Sequence, residues 1–164
     1  SGMVYRICVC ETPQLPLKHD EVTTAFKVYM LDQAILRAMA ELPPEAVIAK
    51  GDLLKEFKGA MAENFVLSSL LAQGYNSPHY WTLTGNKAEV DFLIQDGLEI
   101  RPIEVKAEEN ISGQSLKVYQ DKYAPEIRLR FSMRNLNING NVINIPLFLC
   151  DWLTDILSFV KRTK

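Results

Sequence analysis

Glu89-Val90-Asp91-Phe92-Leu93-Ile94-Gln95-Asp96-Gly97-Leu98-Glu99-Ile100-Arg101-Pro102-Ile103-Glu104-Val105-Lys106 decides the fold. Apolar residues recur through both arms. Asp96-Gly97 between them is a two-residue hairpin signal, because both positions of a type I′ turn require positive φ. With those two as the turn, Gln95 faces Leu98, Asp91 faces Pro102 and Glu89 faces Glu104. Side chains alternate along a strand, so Glu89, Asp91, Glu104 and Lys106 are expected on one face. Val90, Phe92, Ile103 and Val105 are expected on the other.

Opposed Cβ atoms lie ~5 Å apart and diagonal ones ~7 Å, so the Asp91 and Glu104 carboxylates can close on one cation. Like charges opposed across a ladder repel, and a bound Mg²⁺ or Mn²⁺ would offset that, since hard cations prefer oxygen ligands and keep several waters. Lys106 lands beside the same point, where it can hold an attacking water and stabilise charge developing on a phosphate. The pattern suits phosphodiester hydrolysis. The plainer alternative is a solvated polar face carrying a casual salt bridge.

Upstream of the hairpin, residues 80–84 read as a third strand, and a helix is expected over 52–73. Asp52 is its N-cap, Phe57, Met61, Val66, Leu67 and Leu70 form its apolar stripe, and Gly74 closes it. Glu63 precedes Val66, Leu67 and Leu70 by three, four and seven residues and so faces inward. A buried carboxylate needs a partner: a metal shell, a lysine or a hydrogen-bond donor. The alternative is a helix-edge glutamate that reaches solvent.

Nearer the N-terminus, Val4–Cys10 reads as a strand followed by a proline-bearing loop. Phe26, Val28 and Met30 alternate with Lys27 and Tyr29 as in a half-buried strand, and a helix over 31–40 is stopped by Pro43-Pro44. Downstream, a helix over 113–123, a strand over 127–132, a turn at Asn139-Gly140, a short strand over 142–145 and a helix over 152–160 are expected. Together these give an α/β fold with a mixed central sheet flanked by helices. Residues 1–50 form a strand-helix extension packed on a core of residues 51–164, in one compact domain.

The chain has 164 residues, 48% hydrophobic, with a net charge of −2, so any nucleic-acid contact must be local rather than a polybasic coat. No apolar run approaches the ~20 residues of a membrane helix and no secretory leader is evident, which points to a cytoplasmic protein without membrane contact. Cys8, Cys10 and Cys150 lack a framework spacing and fit a reducing compartment as packing thiols. The opening Ser1-Gly2-Met3 reads as a cloning remnant ahead of an internal start, so a piece of a longer chain is expected.

Helix-borne Glu63, then Asp91 in Glu89-Val90-Asp91-Phe92, then Glu104-Val105-Lys106 resemble the PD-(D/E)XK nuclease superfamily, with its restriction-endonuclease-like core. More closely, Phe26-Lys27-Val28-Tyr29-Met30-Leu31-Asp32, the stretch 59–66 with Glu63-Asn64-Phe65-Val66, Glu-Val-Asp-Phe and Pro102-Ile103-Glu104-Val105-Lys106 resemble a domain at the C-terminus of predicted AAA-type ATPases of bacteria and archaea. The likeness covers most of the chain. It implies Asp91 and Glu104 as metal ligands, Glu63 as the helix-borne acid, Lys106 as the catalytic lysine and Mg²⁺ or Mn²⁺ as cofactor. It also implies an ATPase module in the same full-length chain. The expected function is a metal-dependent deoxyribonuclease-like domain that hydrolyses or binds DNA; the alternative is an inactive nuclease-fold module that docks nucleic acid or a partner. A homodimer follows only by analogy with nucleases that cut both strands. No G-x-x-x-x-G-K-[ST] loop is present, so ATP binding through a P-loop is not expected here.

Arg128, Arg130 and Arg134 could track a phosphate backbone, or be a solvated sheet face. Lys117 and Lys122 read as surface charge. Tyr119 reads equally as a residue supporting the site or as helix packing. His79 reads as a surface or packing residue in a loop rather than a general base.

Overall fold

The computed structural model describes residues 3–43, 45, 55–83, 85, 88–107 and 113–163. Among them, eight strands form one mixed sheet in the order β2-β1-β3-β4-β5-β6-β8-β7. The strands are β1 (Val4–Cys10), β2 (Glu21–Met30), β3 (His79–Thr82), β4 (Glu89–Asp96), β5 (Glu99–Lys106), β6 (Arg128–Ser132), β7 (Asn137–Asn139) and β8 (Val142–Pro146). Four helices accompany them: α1 (Gln33–Met39), α2 (Lys55–Ala72), α3 (Gln114–Tyr123) and α4 (Leu153–Thr163). The N-terminal strands are part of the sheet, because β1 pairs with β2 and, at Val9–Tyr80, runs parallel to β3.

Two apolar layers enclose the sheet. Val66, Leu67 and Leu70 of α2 and Leu153, Leu157 and Val160 of α4 pack with Phe92, Ile94, Ile103, Val105, Leu129 and Phe131. Leu116 and Tyr119 of α3 pack with Trp81, Val90 and Leu93 on the other side. Edge-on ring contacts from Trp81 to Tyr119 and Tyr123 tighten that layer, so Tyr119 is a packing residue.

Helix boundaries follow local chemistry. Asp32 caps α1 by accepting from the Ala34 N–H at 2.6 Å. After α2, Gly74 adopts φ +91°, its N–H donating to Leu71 O and that of Tyr75 to Leu70 O, which satisfies two terminal carbonyls. Asp52, the expected cap of α2, lies outside the described residues. The final helix begins at Leu153, after a 3-10 turn over Leu147–Trp152, and β7 was not anticipated.

The hairpin register differs from the expectation by two residues. Asp96 pairs with Glu99, Gln95 with Ile100 and Leu93 with Pro102, so the loop is Gly97-Leu98. Gly97 has φ +66°, whereas Asp96 and Leu98 are not among the positive-φ residues, which fits a II′ turn with glycine first and excludes I′. Asp91 therefore no longer faces Pro102, nor Glu89 Glu104, and the paired register stops at Phe92–Ile103.

The simple alternation of faces also fails. His79 pairs with Leu93 but Trp81 with Val90, so Asp91 and Phe92 together oppose Tyr80 in a bulge. The extra residue switches the parity of β4: Val90 joins the α3 layer while Phe92, Ile103 and Val105 join the α2 layer. In β2 the polar-looking residues turn inward. Tyr29 is buried and Lys27 half-buried, while Phe26 and Val28 are exposed. His79 is a buried residue of β3 and not a loop residue, with its ring between Glu21 and the Ser77 carbonyl.

Candidate functional site

Pairing between β4 and β5 ends at Phe92–Ile103, just where the bulge begins. Beyond that point the Val105 N–H donates not to a strand carbonyl but to Asp91 Oδ2, at 2.7 Å. A side chain thus replaces a missing rung, and a carboxylate is fixed where the central strands part. Burial and the neighbouring Glu63 carboxylate push the Asp91 pKa up to about 7, against the Val105 N–H and the ammonium groups of Lys27 and Lys106.

Glu104 sits one step along β5 and is only 1% exposed. Its register neighbour on β6 is Arg130, whose Nε donates to Oε2 at 2.9 Å. Glu104 Oε1 is buried with no hydrogen-bond partner, although Lys106 Nζ lies 3.6 Å away. A charged oxygen left in this state is costly unless a further cation or donor reaches it.

Glu63 projects from α2 toward β2. Its Oε2 accepts from the Tyr29 hydroxyl at 2.8 Å and lies 3.8 Å from Lys27 Nζ, which in turn bonds Glu89 Oε1 at 2.5 Å. Burial opposes the Lys27 charge, but Glu63, Glu89 and Asp91 outweigh it and hold its pKa above the usual lysine value. Burial and Glu63 likewise hold the Tyr29 hydroxyl in its neutral, donating form. Asn64, the next residue of α2, anchors this arrangement: its amide accepts from Met30 N at 2.8 Å and donates to Met30 O at 3.0 Å, as a strand partner would.

Glu63, Lys106, Lys27 and Tyr29 line one open cleft of about 820 Å³ between α2, β2 and β5. Residues 58–148 match the family described as a domain of unknown function, DUF4143. The chain belongs to that family. The matched segment of this DUF4143 domain carries Glu63, Asp91, Glu104, Lys106 and Arg130, and leaves Lys27 and Tyr29 outside it. No curated protein and no solved structure matches the chain.

Of the four residues expected to converge, Asp91 is the hinge of the arrangement. Glu63 and Glu89 lie on its β2 side with Lys27, and Glu104 and Lys106 lie together with Arg130 on β6. Among the described residues, no three His, Cys, Asp or Glu side chains are grouped as a ready-made metal shell. The donors nevertheless fit Mg²⁺ or Mn²⁺ in kind: all are carboxylates, and one buried oxygen has no hydrogen-bond partner.

The three arginines are placed differently from one another. Arg128 gives Nε and Nη2 to Asn141 Oδ1 and Nη1 to the Leu116 carbonyl. Arg130 is bonded to Glu104, and Arg134 is exposed beside the β7 edge. Lys27, Tyr29 and Arg101 escaped the sequence reading. The signal for the first two was a lysine and a tyrosine two apart on the strand before an inward glutamate, masked by the apolar Phe26, Val28 and Met30 that alternate with them. Arg101 is fully buried and paired with Asp96 and Glu126, an ion cluster that pins the hairpin end.

Proposed function

We propose that this DUF4143 domain is a Mg²⁺- or Mn²⁺-dependent nuclease-like module of PD-(D/E)XK type that hydrolyses or binds DNA phosphodiesters. In this reading it forms the C-terminal part of a cytoplasmic AAA-type ATPase. The observation that carries it is the buried Glu104 Oε1, which has no hydrogen-bond partner and only the Lys106 ammonium 3.6 Å away, one step from the Asp91 carboxylate at the parting of the central strands. The likeness of the Glu-Val-Asp-Phe and Glu-Val-Lys stretches to PD-(D/E)XK nucleases supports the assignment. Among the described residues no helix is long and apolar enough to cross a membrane.

Asp91 and Glu104 would hold the cation, with Glu63 near enough to Asp91 to contribute. When bound, the cation supplies Lewis-acid stabilisation of phosphate charge. The chain's own residues do the rest. Arg130 fixes Glu104, the Val105 N–H fixes Asp91 and the Tyr29 hydroxyl fixes Glu63. Lys106 Nζ, lining the cleft, orients a water or meets a phosphate oxygen.

The test is a thermal melt of the chain and of Asp91→Ala with and without Mn²⁺, beside plasmid and single-strand cleavage assays. Stabilisation lost in the variant, together with cleavage, is the expected result. A second reading, an inactive nuclease-fold docking module, is favoured by the absence of a grouped three-carboxylate shell among the described residues. No Mn²⁺ shift in the unmodified chain, with a neutral Asp91→Ala, would select it.

A further inference from the structure

Lys27 comes from β2, outside the segment that matches the family, yet its ammonium lies among the carboxylates of the cleft. It bonds Glu89 Oε1 at 2.5 Å and lies 3.8 Å from Glu63 Oε2, with Asp91 close enough to act on it electrostatically. Its partner set is fixed from three sides. Tyr29, two residues along the same strand, holds Glu63; Asn64 ties Met30 to α2; and Glu89 stands on β4 two residues before the bulge. Lys106 differs: it pairs with Glu104 Oε1 only at 3.6 Å, and that oxygen has no hydrogen-bond partner.

A divalent cation bound by Asp91 and drawing on Glu63 would therefore have to share the Glu63 carboxylate with a like-charged ammonium. Two unit charges ~4 Å apart interact by several kcal/mol where solvent screening is partial, and a divalent ion doubles that. We propose that Lys27 is a built-in competitor for the divalent cation, a regulatory counter-ion that holds Glu63 and Glu89 while the metal is absent and must release Glu63 when it binds. The inference rests on the metal-dependent reading of the site. It makes occupancy depend on whatever draws Lys27 away, and an incoming phosphate is the chemical class suited to do so, since its negative charge can pair with the ammonium.

The experiment is a Mn²⁺ titration of the chain, Lys27→Met, Lys27→Gln and Lys27→Arg, read by melting temperature and by calorimetry. Lys27→Met and Lys27→Gln are expected to lower the half-saturating Mn²⁺ concentration by about tenfold or more. Lys27→Arg, which keeps the charge, should match the unmodified chain. Lys27→Gln retains a donor for Glu89 and covers the case in which Lys27→Met does not fold. If the unmodified chain binds Mn²⁺ and the neutral variants bind it no more tightly, Lys27 is not a competitor while the metal reading stands. If neither the chain nor the variants bind, both ideas fall. Binding by the neutral variants alone would be the strongest support.

Discussion

Replacing Arg130 with Met removes the partner of a carboxylate that cannot reach water. Arg130 and Glu104 side chains are 13% and 1% exposed, and their bond is 2.9 Å long. Deleting one member of such a pair costs ~3–5 kcal/mol, because the other is left as an uncompensated buried charge. Lys106, 3.6 Å from the second oxygen, remains and moderates the loss toward the lower end. At ~2–4 °C per kcal/mol for a chain of this size, about 3 kcal/mol lowers the melting temperature by about 6–12 °C. Methionine keeps most of the aliphatic stem, so little of this is lost packing. Denaturant melts in metal-free buffer measure it. Adding Glu104→Gln to Arg130→Met should restore about 2 kcal/mol, since the stranded charge is then gone. An Arg130→Met protein within ~1 kcal/mol of the unmodified chain, or purely additive losses in the double variant, would refute the account.

Asp91 gives a pH signature. Burial and the neighbouring Glu63 carboxylate lift its pKa from the ordinary aspartate value of 3.8 to about 7 in the folded chain, so between those values the folded state holds more protons than the unfolded one. Stability therefore falls as pH rises from ~4 to ~7 in metal-free buffer, and Asp91→Asn should flatten that slope in melts across the range. Asn64→Ala removes both amide bonds to Met30 and should cost ~2 kcal/mol, with amide exchange rising first in β2.

Much of the architecture was legible because its signals are local. Gly74 and Gly97 stand where positive φ is needed, the apolar spacing of Val66, Leu67 and Leu70 marks the inward face of α2, and β-branched runs mark the central strands. What misled was parity. Phe26 and Val28 look like the buried half of β2, but the layer beneath that strand belongs to Glu63, so tertiary context sends Lys27 and Tyr29 inward. The register was misjudged by two because Asp96-Gly97 is a common turn pair, and only the backbone shows that glycine alone takes the left-handed conformation. Glu63, Asp91 and Glu104 do stand on α2, β4 and β5, the elements expected to carry them, but no sequence pattern foretold that Arg130 would claim one oxygen of Glu104 or that Lys27 would come in from the sheet edge.

The bulge at Asp91-Phe92 makes the site a matter of counting as well as of chemistry. Removing one residue there would leave β4 long enough to pair evenly with both neighbours, and the apolar layers could close on a regular ladder. The carboxylate that fills the missing rung at Val105 would then have no rung to fill. In this fold a single-residue deletion is thus a tolerable event for the sheet and a terminal one for the cleft. Loss of the cleft's geometry by shortening, with Glu63, Glu89, Asp91 and Glu104 all still in place, is a route that a comparison of residue identities alone would miss.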